Sequence, residues 1–261
     1  MQQTFVLGTP VSAVNLPLTV QEMRRWIETG ERQFICVRDA HGVIRAVDDE
    51  KLRAIHLEAG LVTPDGMPLV WLSRLRGLKQ VHRVYGPDLM LAACEGLLAL
   101  GARHFFYGGR AGVADRLAEK LQQRFPGIAI CGVRTPPDQP IEARERAEVL
   151  AAINSARPDV IWVGLSTPKQ EYWMRNHRPH LDAAVLVGVG AAFDFHAGIV
   201  PQAPRILQRN GLEWLYRLCR EPQRLGRRYA EVIPRFIWLN ALEAMGLRQF
   251  DAAAKRRSAA G

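Results

Sequence analysis

Four short runs hold the residue types that could do chemistry. In Val62-Thr-Pro-Asp-Gly66, Asp65 sits in a turn signal. A turn aspartate can simply shape backbone, or at the lip of a cleft act as a general base, and the residues alone leave both open. Tyr107-Gly-Gly-Arg-Ala-Gly112 reads as a strand-to-helix turn in which Gly108 and Gly109 would let backbone N–H groups approach a phosphate. A plain turn is the other reading. The spacing is not GxGxxG, no acid closes the next strand (Ile130-Cys-Gly-Val-Arg134), and no Gly-Lys-Ser/Thr follows. Val163-Gly-Leu-Ser-Thr-Pro-Lys-Gln-Glu171 puts Gly164, Lys169, Gln170 and Glu171 at a second such junction. Pro168 suits a helix's first turn, Ser166 or Thr167 would cap it, and the three polar residues are expected to face the cleft. In Val187-Gly-Val-Gly-Ala-Ala-Phe-Asp-Phe-His196, small residues such as Gly190 allow close approach. Asp194 and His196 are too few to make a metal site and read as turn residues, with Asp194 kept as a candidate at the ligand. HExxH, GxSxG and DxD are absent.

These runs lie between alternating strand and helix patterns. Gln33–Val37, Arg103–Tyr107, Ile128–Val133, Asp159–Gly164 and Ala183–Val189 read as strands. Pro87–Leu100, Gly112–Arg124, Ile141–Ala156 and Pro168–Asn176 read as helices. The pattern predicts an α/β, Rossmann-like fold, a largely parallel sheet with flanking helices and its ligand beyond the carboxyl ends of the strands. The first third, to about Met67, is less regular and is expected to form a lobe across the cleft.

The 261 residues, 48% hydrophobic and 23% charged, exclude disorder and coiled coil for the bulk of the chain. Four cysteines without a CxxC pair fit a reducing compartment. No run is long enough for a membrane span, and the N-terminus lacks a signal-peptide layout. The net charge of +9 is concentrated late, where twelve basic residues oppose five acids between Arg205 and Arg257. Aromatic and aliphatic residues are interleaved with these arginines at spacings of three and four, which predicts amphipathic helices broken near Pro222 and Pro234. Residues 1–200 therefore read as a body (N-terminal lobe about 1–80, nucleotide-binding part about 81–200) and 201–261 as a basic helical appendage. The appendage suits an anionic membrane surface, or a helix packed on its own core. Nothing in it resembles a nucleic-acid motif.

Taken in order, several runs resemble the WecG/TagA/CpsF family of bacterial glycosyltransferases. They are Pro64-Asp-Gly-Met-Pro-Leu-Val70, Gly86-Pro-Asp-Leu-Met90, Tyr107-Gly-Gly109, Pro168-Lys-Gln-Glu171, Gly188-Val-Gly-Ala-Ala-Phe-Asp-Phe195, and Gly211-Leu-Glu-Trp-Leu-Tyr-Arg217 followed by Arg224. The resemblance implies inverting, metal-independent transfer from a UDP-sugar to a polyprenyl-diphosphate-linked sugar, with no cofactor. It implies a peripheral location on the cytoplasmic face of the inner membrane, in exopolysaccharide or other surface-polysaccharide synthesis. Asp65 would be the base and Gln170 would line the site. Gly108, Gly109, Gly164, Lys169, Glu171, Gly190 and Asp194 would lie at the UDP-sugar, and Arg217 and Arg224 would engage its diphosphate. Where many members carry Thr-Pro-Asn, this chain has Val37-Arg38-Asp39. Asp39 and His41 are placed on the acceptor side, and both glucosyl and N-acetylmannosaminyl donors are entertained. The sequence leaves the oligomeric state open, with self-association through the apolar appendage in the absence of lipid as one option. The rivals are a nucleotide-binding oxidoreductase, which the broken fingerprint disfavours, and a non-catalytic membrane-docking module.

Overall fold

The computed structural model describes residues 1–137 and 143–250. The chain opens with a hairpin, β1 (Gln3–Val6) and β2 (Thr9–Ser12), then α1 (Leu16–Thr29), β3 (Gln33–Arg38), α2 (Ala40–Asp48), α3 (Glu50–Glu58), β4 (Leu61–Pro64) and α4 (Met67–Leu75). There follow α5 (Gly86–Gly96), β5 (Arg103–Gly108), α6 (Val113–Arg124), β6 (Ala129–Arg134), α7 (Ala143–Ser155), β7 (Val160–Gly164), α8 (Lys169–His177), β8 (Val185–Gly188) and α9 (Ala192–His196). Three helices close the described chain: α10 (Arg205–Arg209), α11 (Glu213–Arg220) and α12 (Pro222–Ala244).

Six strands form one sheet in the order β4-β3-β8-β7-β5-β6, and every pairing is parallel. The fold is α/β and Rossmann-like. Its strands are near-continuous apolar runs, such as Val-Ile-Trp-Val at Val160–Val163, because both faces are covered. Ile35, Phe106, Trp162 and Val187 pack with α1, α5, α6 and α9 on one face. Cys36, Phe105, Ile161 and Leu186 pack with α3, α7 and α8 on the other.

The first third is more regular than its sequence suggests. β3 and β4 belong to the main sheet, and β4 ends inside the Val62–Gly66 run that reads as a turn. Asp194 and His196 lie on the short helix α9 rather than in a turn, with His196 Nε2 2.8 Å from the Pro87 carbonyl. Pro222 does start a helix, but Pro234 lies within α12 without ending it. Around it Val232, Phe236 and Leu239 are buried against Val6, Leu7, Val43, Ile44 and Leu69 of the N-terminal elements. Burying three such side chains, at about 1.5–3 kcal/mol each, offsets the ~3 kcal/mol an internal proline costs. Among the described residues no helix is long and apolar enough to cross a membrane.

Candidate active site

The register brings the carboxyl ends of the central strands to one edge. Gly108 pairs with Gly164, Val163 with Gly188, Cys36 with Gly188, and Arg38 with Pro64. One residue past β4, the Asp65 N–H donates to the Arg38 carbonyl at 2.8 Å, which fixes Asp65 at this edge. The segment before α5 runs alongside, since the Val84 N–H donates to the Pro64 carbonyl at 2.8 Å, and this carries Arg83 to Asp65.

Arg83 links two carboxylates. Its Nε donates to the Asp65 backbone carbonyl, and its Nη2 donates to Asp65 Oδ1 at 3.1 Å and to Glu213 Oε2 at 2.6 Å. The Tyr85 hydroxyl donates to Glu213 Oε1 at 2.9 Å, and the guanidinium lies 4.1 Å from the Tyr85 ring centroid. The Asp65 side chain is 24% exposed, against 11% for Glu213. Burial pushes the Asp65 carboxyl up to about 7; Arg83 opposes the rise, and Glu213 and Asp39 add to it. Burial, and then the charge of Glu213, keep the Tyr85 phenol far above its ordinary range, so it remains a donor. One helical turn beyond Glu213, Arg217 lies 5.8 Å from the Phe195 ring, which is itself 6.4 Å from Tyr85.

Gln170, only 3% exposed, packs its amide against Gly188, where an added Cβ would come within 3.0 Å of Nε2. Its Oε1 is buried without a hydrogen-bond partner, and the nearest atoms to a Cβ on Gly190 would be 3.6 Å away. An orphaned amide oxygen beside an open glycine is an acceptor that a ligand can satisfy. Asp39 caps α2 by accepting the Gly42 N–H at 2.8 Å and lies against Gly66, so it neighbours Asp65. Burial raises the Asp39 carboxyl, but His41, the Gly42 N–H, Arg38 and Arg228 together hold it below its ordinary value. His41 is half-buried, and burial lowers its proton affinity.

Other candidates have a different place. Glu171 does not face the cleft: it is fully buried and forms an ion pair with Arg38, while Thr167 joins that pair instead of capping α8. An unpaired charge so deep would be costly, so Arg38 on the inward face of β3 requires this partner. Lys169 is exposed on the first turn of α8. Close packing surrounds three glycines, of which Gly108 and Gly109 also have positive φ. A Cβ on Gly108 would come within 2.6 Å of the Gly164 backbone, one on Gly164 within 2.6 Å of the Phe193 ring, and one on Gly109 within 3.1 Å of Val113. Asp194 lies 3.9 Å from Arg110. Arg224 falls on α12, and its side chain lies outside the described residues.

Residues 4–250 match the Glycosyl transferase WecG/TagA/CpsF family. The chain belongs to this family. It is a glycosyltransferase whose Rossmann-like sheet presents Asp65, Gln170 and the α11 cluster at one edge. A Bacillus spizizenii protein named N-acetylglucosaminyldiphosphoundecaprenol N-acetyl-beta-D-mannosaminyltransferase is 30% identical over 81% of this chain and 80% of its own length. A Bacillus subtilis protein of the same name is 31% identical over 70% of this chain and 69% of its own. Sequence reasoning about this glycosyltransferase missed Arg83, Tyr85 and Glu213 as a group. The available signal was Glu213, the sole acid between Arg205 and Arg220, flanked by Leu212 and Trp214.

Proposed function

We propose that the protein transfers a hexosyl unit, glucosyl or N-acetylmannosaminyl, from a UDP-sugar to a polyprenyl-diphosphate-linked saccharide, with inversion, at a membrane surface. The observation that carries this is the half-shielded Asp65 carboxylate, held by Arg83 at the carboxyl edge of the sheet in a member of this family. In a single displacement Asp65 takes the proton of the acceptor hydroxyl as that oxygen attacks the anomeric carbon and the C–O bond to UDP breaks. The leaving diphosphate gathers negative charge, which a guanidinium can meet in bidentate fashion, and Arg217, 5.8 Å from the Phe195 ring, is the residue this reading assigns to it. Gln170 offers an unsatisfied oxygen to a sugar hydroxyl.

A screen of UDP-glucose, UDP-N-acetylglucosamine and UDP-N-acetylmannosamine against short-chain prenyl-diphosphate sugars tests the reading. One donor should yield a product of inverted anomeric configuration. Absence of transfer from all three, with no UDP binding, would overturn it. Arg217→Ala should raise the KM for the nucleotide sugar about 10–100-fold, and Arg217→Lys should recover only part of it. An unchanged KM would remove Arg217 from the diphosphate.

The membrane part rests on exposed apolar side chains: Trp71 and Leu75 on α4, Ile206 on α10, and Leu212, Trp214 and Leu215 around α11. The helices share a surface, because a Cβ on Gly211 would lie 3.1 Å from the Trp71 ring. Arg209 and Arg220 are exposed on the same two C-terminal helices, so an anionic leaflet suits them. In flotation with phosphatidylglycerol vesicles, Leu75→Ser with Ile206→Ser should lower the vesicle-bound fraction about tenfold or more. Undiminished flotation would exclude this face.

A further inference from the structure

The C-terminal helices reach the catalytic edge with a carboxylate as well as with arginines. Glu213 is the first residue of α11, and both of its oxygens are engaged, by Arg83 Nη2 at 2.6 Å and by the Tyr85 hydroxyl at 2.9 Å. The Nη2 atom that binds Glu213 also binds Asp65, at the longer distance of 3.1 Å. One guanidinium thus serves two carboxylates, and the shorter contact goes to the one on α11.

We propose that Glu213 is a positioning residue for the transfer: by engaging Arg83 it limits how much of that cation's charge falls on Asp65, and so ties the strength of the base to the seating of α11. The inference rests on Asp65 being the base and goes beyond it. Among the described residues, the charged and titratable groups facing Asp65 are Arg83 and Tyr85 from the segment before α5, Asp39 from the β3–α2 junction, and Glu213 from α11. Arg83 is the cation among them that bonds the Asp65 carboxylate, so its sharing governs the balance. With Glu213 seated, the ionised cluster of Asp65, Arg83 and Glu213 carries one net negative charge, which favours a proton on Asp65. Without Glu213, Arg83 becomes an undivided counter-ion, and Asp65 becomes a weaker base. The same short helix bears the exposed Trp214 and Leu215, so a displacement of α11 at the surface would be felt at the base.

The test is a carbon-13 carboxyl titration of the full chain, with the Asp65 resonance assigned by its loss in Asp65→Asn. Glu213→Gln keeps the shape of the side chain and removes its charge. It should lower the Asp65 midpoint by about 1 unit or more and carry the acid limb of kcat/KM down with it. Glu213→Asp, which keeps the charge, should restore most of the shift. Should Glu213→Gln fail to melt cooperatively, Glu213→Ser takes its place with the same expected fall. An Asp65 midpoint unmoved in the folded, charge-free variant overturns the proposal. A midpoint that falls while the acid limb stays put keeps the coupling of Glu213 to Asp65 and removes Asp65 from the base's role, so the two readings fail separately.

Discussion

Asp65→Asn is expected to lower kcat by about 10²–10⁴-fold, the range that a positioned acid–base group contributes. The asparagine has nearly the shape of aspartate, and its amide oxygen can still accept from Arg83 Nη2. The Arg83 Nε bond goes to the backbone carbonyl and is indifferent to the substitution. What disappears is the ability to hold the proton of the acceptor hydroxyl. Because that proton moves only as the bond forms, kcat and kcat/KM should fall together, and the affinity for UDP, read by calorimetry, should stay within about threefold. Turnover near wild type in Asp65→Asn would take the base elsewhere.

The same residue should leave two marks on pH dependence. Burial holds the Asp65 carboxyl at about 7, so kcat/KM should climb as pH rises through 7, and the limb should vanish in the asparagine variant. Stability runs in the opposite sense. The folded value lies above the ordinary 3.8, so the fold binds the proton more tightly than the unfolded chain does. The stability from this group is whole below about pH 4 and is lost as pH rises towards 7. Asp65→Asn escapes that loss. At pH 8 it should melt above wild type by about 8–16 °C, corresponding to about 4 kcal/mol, and near pH 4 the two should melt alike. Equal melting temperatures at both pH values would mean that Asp65 is not held in its acid form by the fold.

The alternation of strands and helices was legible because the central strands are apolar on both faces and the helices between them end at glycines or prolines. β4 was hidden. Four residues ending at Pro64, with Asp65-Gly66 next, carry a turn signal as strong as their strand signal, and only pairing with β3 decides between them. Pro234 misled for a related reason. Local chemistry says that a proline ends a helix, but Val232, Phe236 and Leu239 have a distant surface to bury against. At the site, Asp65 and Gln170 stood out by their motifs. Arg83, Tyr85 and Glu213 did not, because 130 positions separate Arg83 from Glu213, Arg83 lies in none of the quoted runs, and the run that holds Glu213 drew attention to its arginine. The glycines are ambiguous in the sequence for a similar reason. A glycine at a strand end signals close approach but not what approaches, and at Gly108 and Gly164 the neighbouring strand and Phe193 are already close.

Glu171 is where motif and structure assign different work, and substitution separates the two. A residue contacting the nucleotide sugar would change KM and leave the melting temperature alone. The buried Arg38–Glu171 pair predicts the reverse. Both side chains are within 1% of full burial, and Arg38 Nη1 and Glu171 Oε2 already lack partners, so nothing stands ready to replace the one removed. A Cβ on Gly42 would lie 2.7 Å from Arg38 Nη1, which leaves the guanidinium no room to withdraw. Glu171→Gln or Arg38→Met should therefore cost about 3–5 kcal/mol, a fall of about 6–20 °C in Tm by calorimetry. Arg38→Met with Glu171→Leu should regain most of it, because an apolar pair leaves no charge stranded. Activity should follow stability, since the pair fixes the first turn of α8 and with it Gln170, whose amide lies against Gly188. A Glu171→Gln protein with the wild-type melting temperature and a raised KM for the donor would return Glu171 to the nucleotide and leave Arg38 without the partner its burial demands.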